Sequence, residues 1–192
     1  MPHIFNPENI KVLEEPERES FLSTILFVKI IKEVLHEEKR NIACEIGAGT
    51  GYFTIPLARL FKKVYATDLS LEMLNYLKNK AEEKKIQNIV FIQTDKPPRI
   101  DEYIDLILFS NVLHELNNLE EYIKWASAKT NIIVDIDWKK ENTPGGPPLK
   151  DRISLEDAVK ILVKHGFKVK NYNIYPYHYF LIGVKNTKQT SS

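Results

Sequence analysis

A short apolar run, Asn41-Ile42-Ala43-Cys44, leads directly into Glu45-Ile46-Gly47-Ala48-Gly49-Thr50-Gly51. Its continuous apolar character is that of a strand covered on both faces by helices, which places it in a parallel sheet. Glycines on alternate positions allow a tight turn, and they let a ligand press against main chain where a Cβ would collide. The helix expected over Tyr52-Phe53-Thr54-Ile55-Pro56-Leu57-Ala58 then opens with amide N–H groups that have no intrahelical partner. Strand, glycine turn and helix in this order make an α/β sheet with a ligand at one edge.

The next run, Lys63-Val64-Tyr65-Ala66-Thr67, ends in Asp68. Its carboxylate emerges at the carboxyl edge of a neighbouring strand, where open parallel sheets bind ligands, and it suits a ribose diol. Spacing narrows the ligand further. A dinucleotide fingerprint, Gly-x-Gly-x-x-Gly, needs a third glycine at position 52, and that residue is Tyr52. The turn therefore reads as a nucleoside cofactor site that departs from the dinucleotide pattern.

Further along, apolar residues at Phe21, Ile25, Val28, Ile31 and Val34 or Leu35 predict one amphipathic helix over about residues 17–38. Ser70 can cap a helix bearing Leu71, Leu74, Leu77 and Ala81. Strands follow at residues 89–92, 104–109 and 132–136, with a helix over about 119–128 before the last of these. From Trp138 to Pro148 the composition is that of a loop. Ser154 with Asp157 approximates a capping box for a helix to Lys164, ended by Gly166. Two runs at residues 167–175 and 178–184 predict a final strand pair, and residues 186–192 a frayed tail.

The alternation predicts a doubly wound, seven-stranded α/β sheet, mostly parallel with an antiparallel C-terminal hairpin. The 192 residues suit a single domain, with a helical segment over about residues 1–40. No apolar stretch approaches the roughly 18 residues of a membrane span, and the first residues lack a signal-peptide pattern, so a cytoplasmic location is expected. Cys44 is the single cysteine, which leaves no disulfide framework and no metal cluster. A net charge of +1, with Lys and Glu intermixed, argues against a nucleic-acid partner.

The pattern Glu45-x-Gly47-x-Gly49-x-Gly51 resembles the first motif of the class I S-adenosylmethionine-dependent methyltransferases, and the element order resembles their seven-stranded sheet. Within that class the chain looks similar to the methyltransferase-domain group that includes quinone-biosynthesis C-methyltransferases. The resemblance implies a cofactor, S-adenosylmethionine, converted to S-adenosylhomocysteine. It implies that Glu45 fixes the methionine end, that Gly47, Ala48, Gly49 and Gly51 line the cofactor, and that Asp68 accepts from both ribose hydroxyls. Leu69 and Met73 would contact the adenine or simply pack in the core. Asp95, assisted by Thr94, would accept from the exocyclic amino group or serve as a turn residue before Pro97. Asn111 would offer its carbonyl to the cofactor's amino group.

His114, in Ser110-Asn111-Val112-Leu113-His114-Glu115, is the candidate catalytic base, its ordinary pKa of about 6.5 lying near working pH. A capping or packing role accounts for it equally well. Asp137, Trp138, Lys139 and His178 are further residues placed to face the same edge. The place of an Asn/Asp-Pro-Pro-aromatic motif, by which base-amine methyltransferases resemble one another, is taken by Asn111-Val112-Leu113-His114, and arsenic methylation requires several cysteines. A small molecule is therefore the expected acceptor. The alternatives are a protein side chain, a noncatalytic cofactor-binding protein, and a nicotinamide-dependent oxidoreductase that the glycine spacing argues against. The sequence sets no oligomeric state.

Overall fold

A computed structural model describes residues 10–185, so the expected fraying of residues 186–192 lies outside the described residues. Seven strands form one sheet: β1 (Ile42–Ile46), β2 (Lys63–Asp68), β3 (Ile89–Gln93), β4 (Leu106–Ser110), β5 (Ile132–Trp138), β6 (Lys168–Asn171) and β7 (His178–Val184). Their order is β3-β2-β1-β4-β5-β7-β6, with β7 antiparallel to both β5 and β6 and every other pairing parallel. The doubly wound mixed sheet expected from the alternation is the one observed.

Side-chain alternation divides the core into two layers. On one face Ala43, Leu106, Leu108, Val134 and Phe180 pack with Phe27 and Ile31 of α3 (Thr24–Val34) and Leu57 of α4 (Thr54–Leu60). On the other, Cys44, Ile107, Phe109 and Ile133 pack with Ile123 of α6 (Leu119–Lys129) and Leu162 of α7 (Leu155–Lys164). The central strands are buried on both faces, as the apolar runs required. Register then builds the site. Ile46 pairs with both Thr67 and Phe109, so the ends of β1, β2 and β4 stand level and their following residues meet at one edge.

Two expectations need correction. The amphipathic stretch over residues 17–38 is not one helix. After the separate α1 (Ile10–Leu13), it begins with the short α2 (Arg18–Phe21), breaks at Leu22, and restarts as α3, whose Leu26 N–H is capped by Ser23. Glu19 reinforces the break by accepting from the Thr24 N–H and from the Ser23 and Thr24 hydroxyls at 2.9–3.0 Å. The turn resets the helical phase, so Ile25 is 74% exposed and Phe27, Ile30 and Ile31 form the buried face. The second correction is β5, which runs on to Trp138 because the antiparallel partner β7 pairs with Asp137 and Trp138 as well. Elsewhere the boundaries move by a few residues: α4 starts at Thr54, β4 spans Leu106–Ser110 and β6 stops at Asn171. The Ser70 cap is as expected on α5 (Leu71–Glu83), and Ser154 caps α7. No helix among the described residues is long and apolar enough to cross a membrane.

Candidate active site

At the level edge of β1, β2 and β4 lies a cavity of about 1090 Å³. It exceeds the roughly 300–1,000 Å³ of an ordinary small-molecule site, so there is room for a cofactor and an acceptor together. Its floor is the glycine turn. Gly47, Gly49 and Gly51 all have positive φ, at 71°, 50° and 82°. Crowding, however, differs among them. A Cβ on Gly47 would stand 2.5 Å from Val112, and one on Gly51 would stand 2.0 Å from Leu77, so both are demanded by the protein's own packing. Only Gly49 has open space beyond it, with Leu13 at 4.0 Å, and there the missing side chain leaves the main chain accessible from the cavity. Gly47 and Gly49 both line the cavity, and Gly51 is absent from its wall.

Asp68 ties the turn together. Its Oδ2 accepts from the Gly49 N–H and its Oδ1 from the Ser70 N–H, both at 2.8 Å. The Leu69 N–H is a further backbone partner, and a carboxylate with about four acceptor sites still keeps room for a ribose hydroxyl. Burial raises its pKa against those backbone hydrogen bonds. Glu45, only 2% exposed on β1, accepts from the Thr54 hydroxyl at 2.5 Å. Burial pushes its pKa up to about 8, opposed by Thr54 and the Arg18 charge, with Asp68 adding to the rise. Leu69, Met73, Thr94 and Asp95 all line the same side of the cavity as Asp68. Leu69 is 51% exposed while Met73 is buried, and the Thr94 hydroxyl is engaged with the N–H and carbonyl of Lys96. Ala48 and Asn111 complete the lining; Asn111 has φ 52° and leaves its buried Oδ1 without a hydrogen-bond partner.

His114 lies across the cavity on a short helical turn after β4. Its Nδ1 is 2.8 and 2.9 Å from the two oxygens of Asp137, which the extension of β5 carries into place, and its Nε2 is 3.8 Å from Glu115. Burial acts to lower the His114 pKa, but the Asp137 hydrogen bond and charge outweigh it and the net shift is upward. His178 behaves oppositely. It is fully buried between Phe21 and Trp138, with ring centroids 6.2 and 4.1 Å away, and neither nitrogen has a hydrogen-bond partner. Burial, with Arg18, Arg152 and Lys139 nearby, pushes its pKa down to about 3, so the ring is neutral.

Two arginines escaped the sequence reading. Arg152 donates to the carbonyls of Lys139, Glu141, Gly145 and Pro147 at 2.8–2.9 Å, which fastens the loop over residues 139–147 down as one wall of the cavity. Lys139 takes part from outside, its ammonium on the Pro176 carbonyl at 2.9 Å rather than in the cavity. Arg18, on α2, enters the cavity with its guanidinium 4.1 Å above the Tyr52 ring. Neither residue belongs to a local motif; each is recruited across a turn by carbonyls or a ring that only the folded chain supplies.

Residues 44–128 match the family model of the methyltransferase domain. In structure the chain is similar to an S-adenosylmethionine-dependent methyltransferase from Aquifex aeolicus, with 25% identity and a TM-score of 0.83 over 95% of this chain and 100% of that one. In sequence it is 29% identical over 100 residues to the malonyl-[acyl-carrier protein] O-methyltransferase of Bacillus cereus, which is 50% of this chain and 36% of that protein. It is also 29% identical over 96 residues to the tRNA/tmRNA (uracil-C(5))-methyltransferase of Campylobacter lari, 47% of this chain and 28% of that protein. The aligned stretch thus spans about a third of each curated relative. In fold and in its matched segment the chain is similar to S-adenosylmethionine-dependent methyltransferases, and this likeness points to S-adenosylmethionine as the cofactor. The residues present are compatible with that molecule: an accessible turn at Gly49 and a strand-end carboxylate at Asp68 line one cavity.

Proposed function

We propose that this chain works as a single domain that transfers a methyl group from S-adenosylmethionine to a small acceptor bearing an acidic proton, with His114 as the base. The observation that carries the reading is His114, which lines one cavity with the glycine turn and is held from behind by the buried Asp137. Gly49, Asp68, Leu69, Met73 and Asp95 would hold the adenosyl part, and Glu45 and Asn111 the methionine end. When bound, the cofactor supplies a methyl group on a sulfonium, already activated for substitution.

The protein's own contribution is alignment, exclusion of water and control of one proton. Asp137 accepts the Nδ1 proton of His114, and this leaves Nε2 as the basic nitrogen. Because Asp137 holds the imidazole pKa above its ordinary value, His114 becomes a stronger base, and turnover should rise with pH through that raised value. α1, α2 and the loop over residues 139–147 wall the cavity, which favours a small acceptor over a folded protein.

Calorimetry and labelled-methyl assays against a panel of phenols and carbon acids test the reading. S-adenosylhomocysteine should bind and raise the melting temperature, and NAD should not. Absence of any response to both the methyl donor and its product would falsify it.

A further inference from the structure

The cavity is lined by carboxylates at Glu15, Glu45, Asp68, Asp95 and Glu115, but among the described residues Arg18 is the only lysine or arginine in its wall. The cofactor ends in an amino acid group whose carboxylate needs a cationic partner in so acidic a setting. A planar guanidinium matches a carboxylate in two-pronged geometry, and Arg18 spends one nitrogen on the Leu13 carbonyl at 3.1 Å, which leaves other donors for a ligand.

Tyr52 holds the arginine in place. Its hydroxyl donates to the Leu22 carbonyl at 2.8 Å and lies 2.9 Å from Glu19, so α2 is fastened over the glycine turn, while its ring lies under the Arg18 guanidinium. Burial works against the Arg18 charge, and Tyr52, Glu14 and Glu45 support it.

We infer that Arg18, delivered by α2 and propped on Tyr52, binds the carboxylate of the cofactor's methionine end, so that the amino-terminal cover closes on the cofactor through this contact. The inference rests on the cofactor reading above and adds a residue to it. Tyr52, which stands where a dinucleotide fingerprint has glycine, then supports the ligand clamp.

Calorimetry with two ligands separates this contact from a structural role. S-adenosylhomocysteine carries the carboxylate; 5′-methylthioadenosine keeps the adenosyl part and lacks the amino acid group. In Arg18→Gln the affinity for S-adenosylhomocysteine should fall at least about tenfold, while that for 5′-methylthioadenosine stays within about twofold of wild type. Arg18→Lys, which keeps the charge without the fork, should lie between, and Tyr52→Phe should weaken S-adenosylhomocysteine by a smaller factor. Equal losses for both ligands, or none for S-adenosylhomocysteine, overturn the inference. Should the unaltered protein bind neither ligand, the cofactor reading itself fails.

Discussion

The two halves of the cavity are built by different means. The half proposed for the cofactor is local: Glu45, Gly47, Gly49, Asp68, Leu69 and Met73 come from two strand ends and the segments that leave them, and the parallel register of β1 and β2 sets them side by side. The half proposed for the acceptor is assembled from afar. His114 follows β4, Asp137 lies one residue before the end of β5, His178 begins β7, Phe21 belongs to α2, and the loop over residues 139–147 is held by Arg152. A cofactor shared across many acceptors can be served by a short motif. An acceptor pocket is made of whatever segments the fold brings over the sheet edge, so its residues carry no common spacing.

The contrast can be broken first at the glycines. Gly51→Ala places a Cβ 2.0 Å from the fully buried Leu77 at φ 82°, and should cost roughly 2–4 kcal/mol of stability, read from denaturant unfolding. Gly49→Ala meets no close neighbour, so its stability cost should stay near 1–2 kcal/mol of backbone strain while S-adenosylhomocysteine binding drops at least about tenfold. If the two variants behave alike in unfolding and in calorimetry, the division of labour within the turn is wrong.

Next in size is Arg152→Ala, which frees four loop carbonyls. A loss of about 2–3 kcal/mol is expected, together with faster proteolysis within residues 139–147, and with cofactor affinity close to wild type. Cofactor binding lost in step with the loop would merge the two halves into one unit.

Glu45→Gln sharpens the comparison through pH. Since the folded-state pKa of Glu45 is raised to about 8, the native protein holds a proton the unfolded chain releases. That contribution to stability is complete below the ordinary carboxyl range and is lost as pH rises through about 8. The variant keeps an uncharged partner for Thr54, so without cofactor it should be more stable than wild type by roughly 1–2 kcal/mol at pH 9, and no more stable at pH 5. Parallel melting curves at both pH values decide the matter.

The smallest effect concerns the acceptor half alone. Asp137→Asn removes the charge that raises the His114 pKa, so the ascending limb of the pH–rate profile should move to lower pH and the plateau should fall. His114→Ala with unchanged turnover would discard the base altogether.

Legibility followed the same boundary. The sheet, its antiparallel end and the Ser70 and Ser154 caps could be read because periodicity and capping act within a few residues. The helix over residues 17–38 was misread because Glu19 and Ser23 end it by hydrogen bonds that periodicity does not register. Trp138 read as the start of a loop because its strand pairing depends on His178, far along the chain.

From order and composition alone, the chain determined a parallel sheet edge bearing a glycine turn and a ribose-suited acid, since short-range sterics and alternation specify those features. Tertiary structure alone decided that Gly47 and Gly51 answer to Val112 and Leu77, that Asp137 holds His114, that Arg152 fastens the loop, and that Arg18 enters the cavity. Each of these depends on contact between groups distant in sequence, and such contacts exist only once the sheet has set its register.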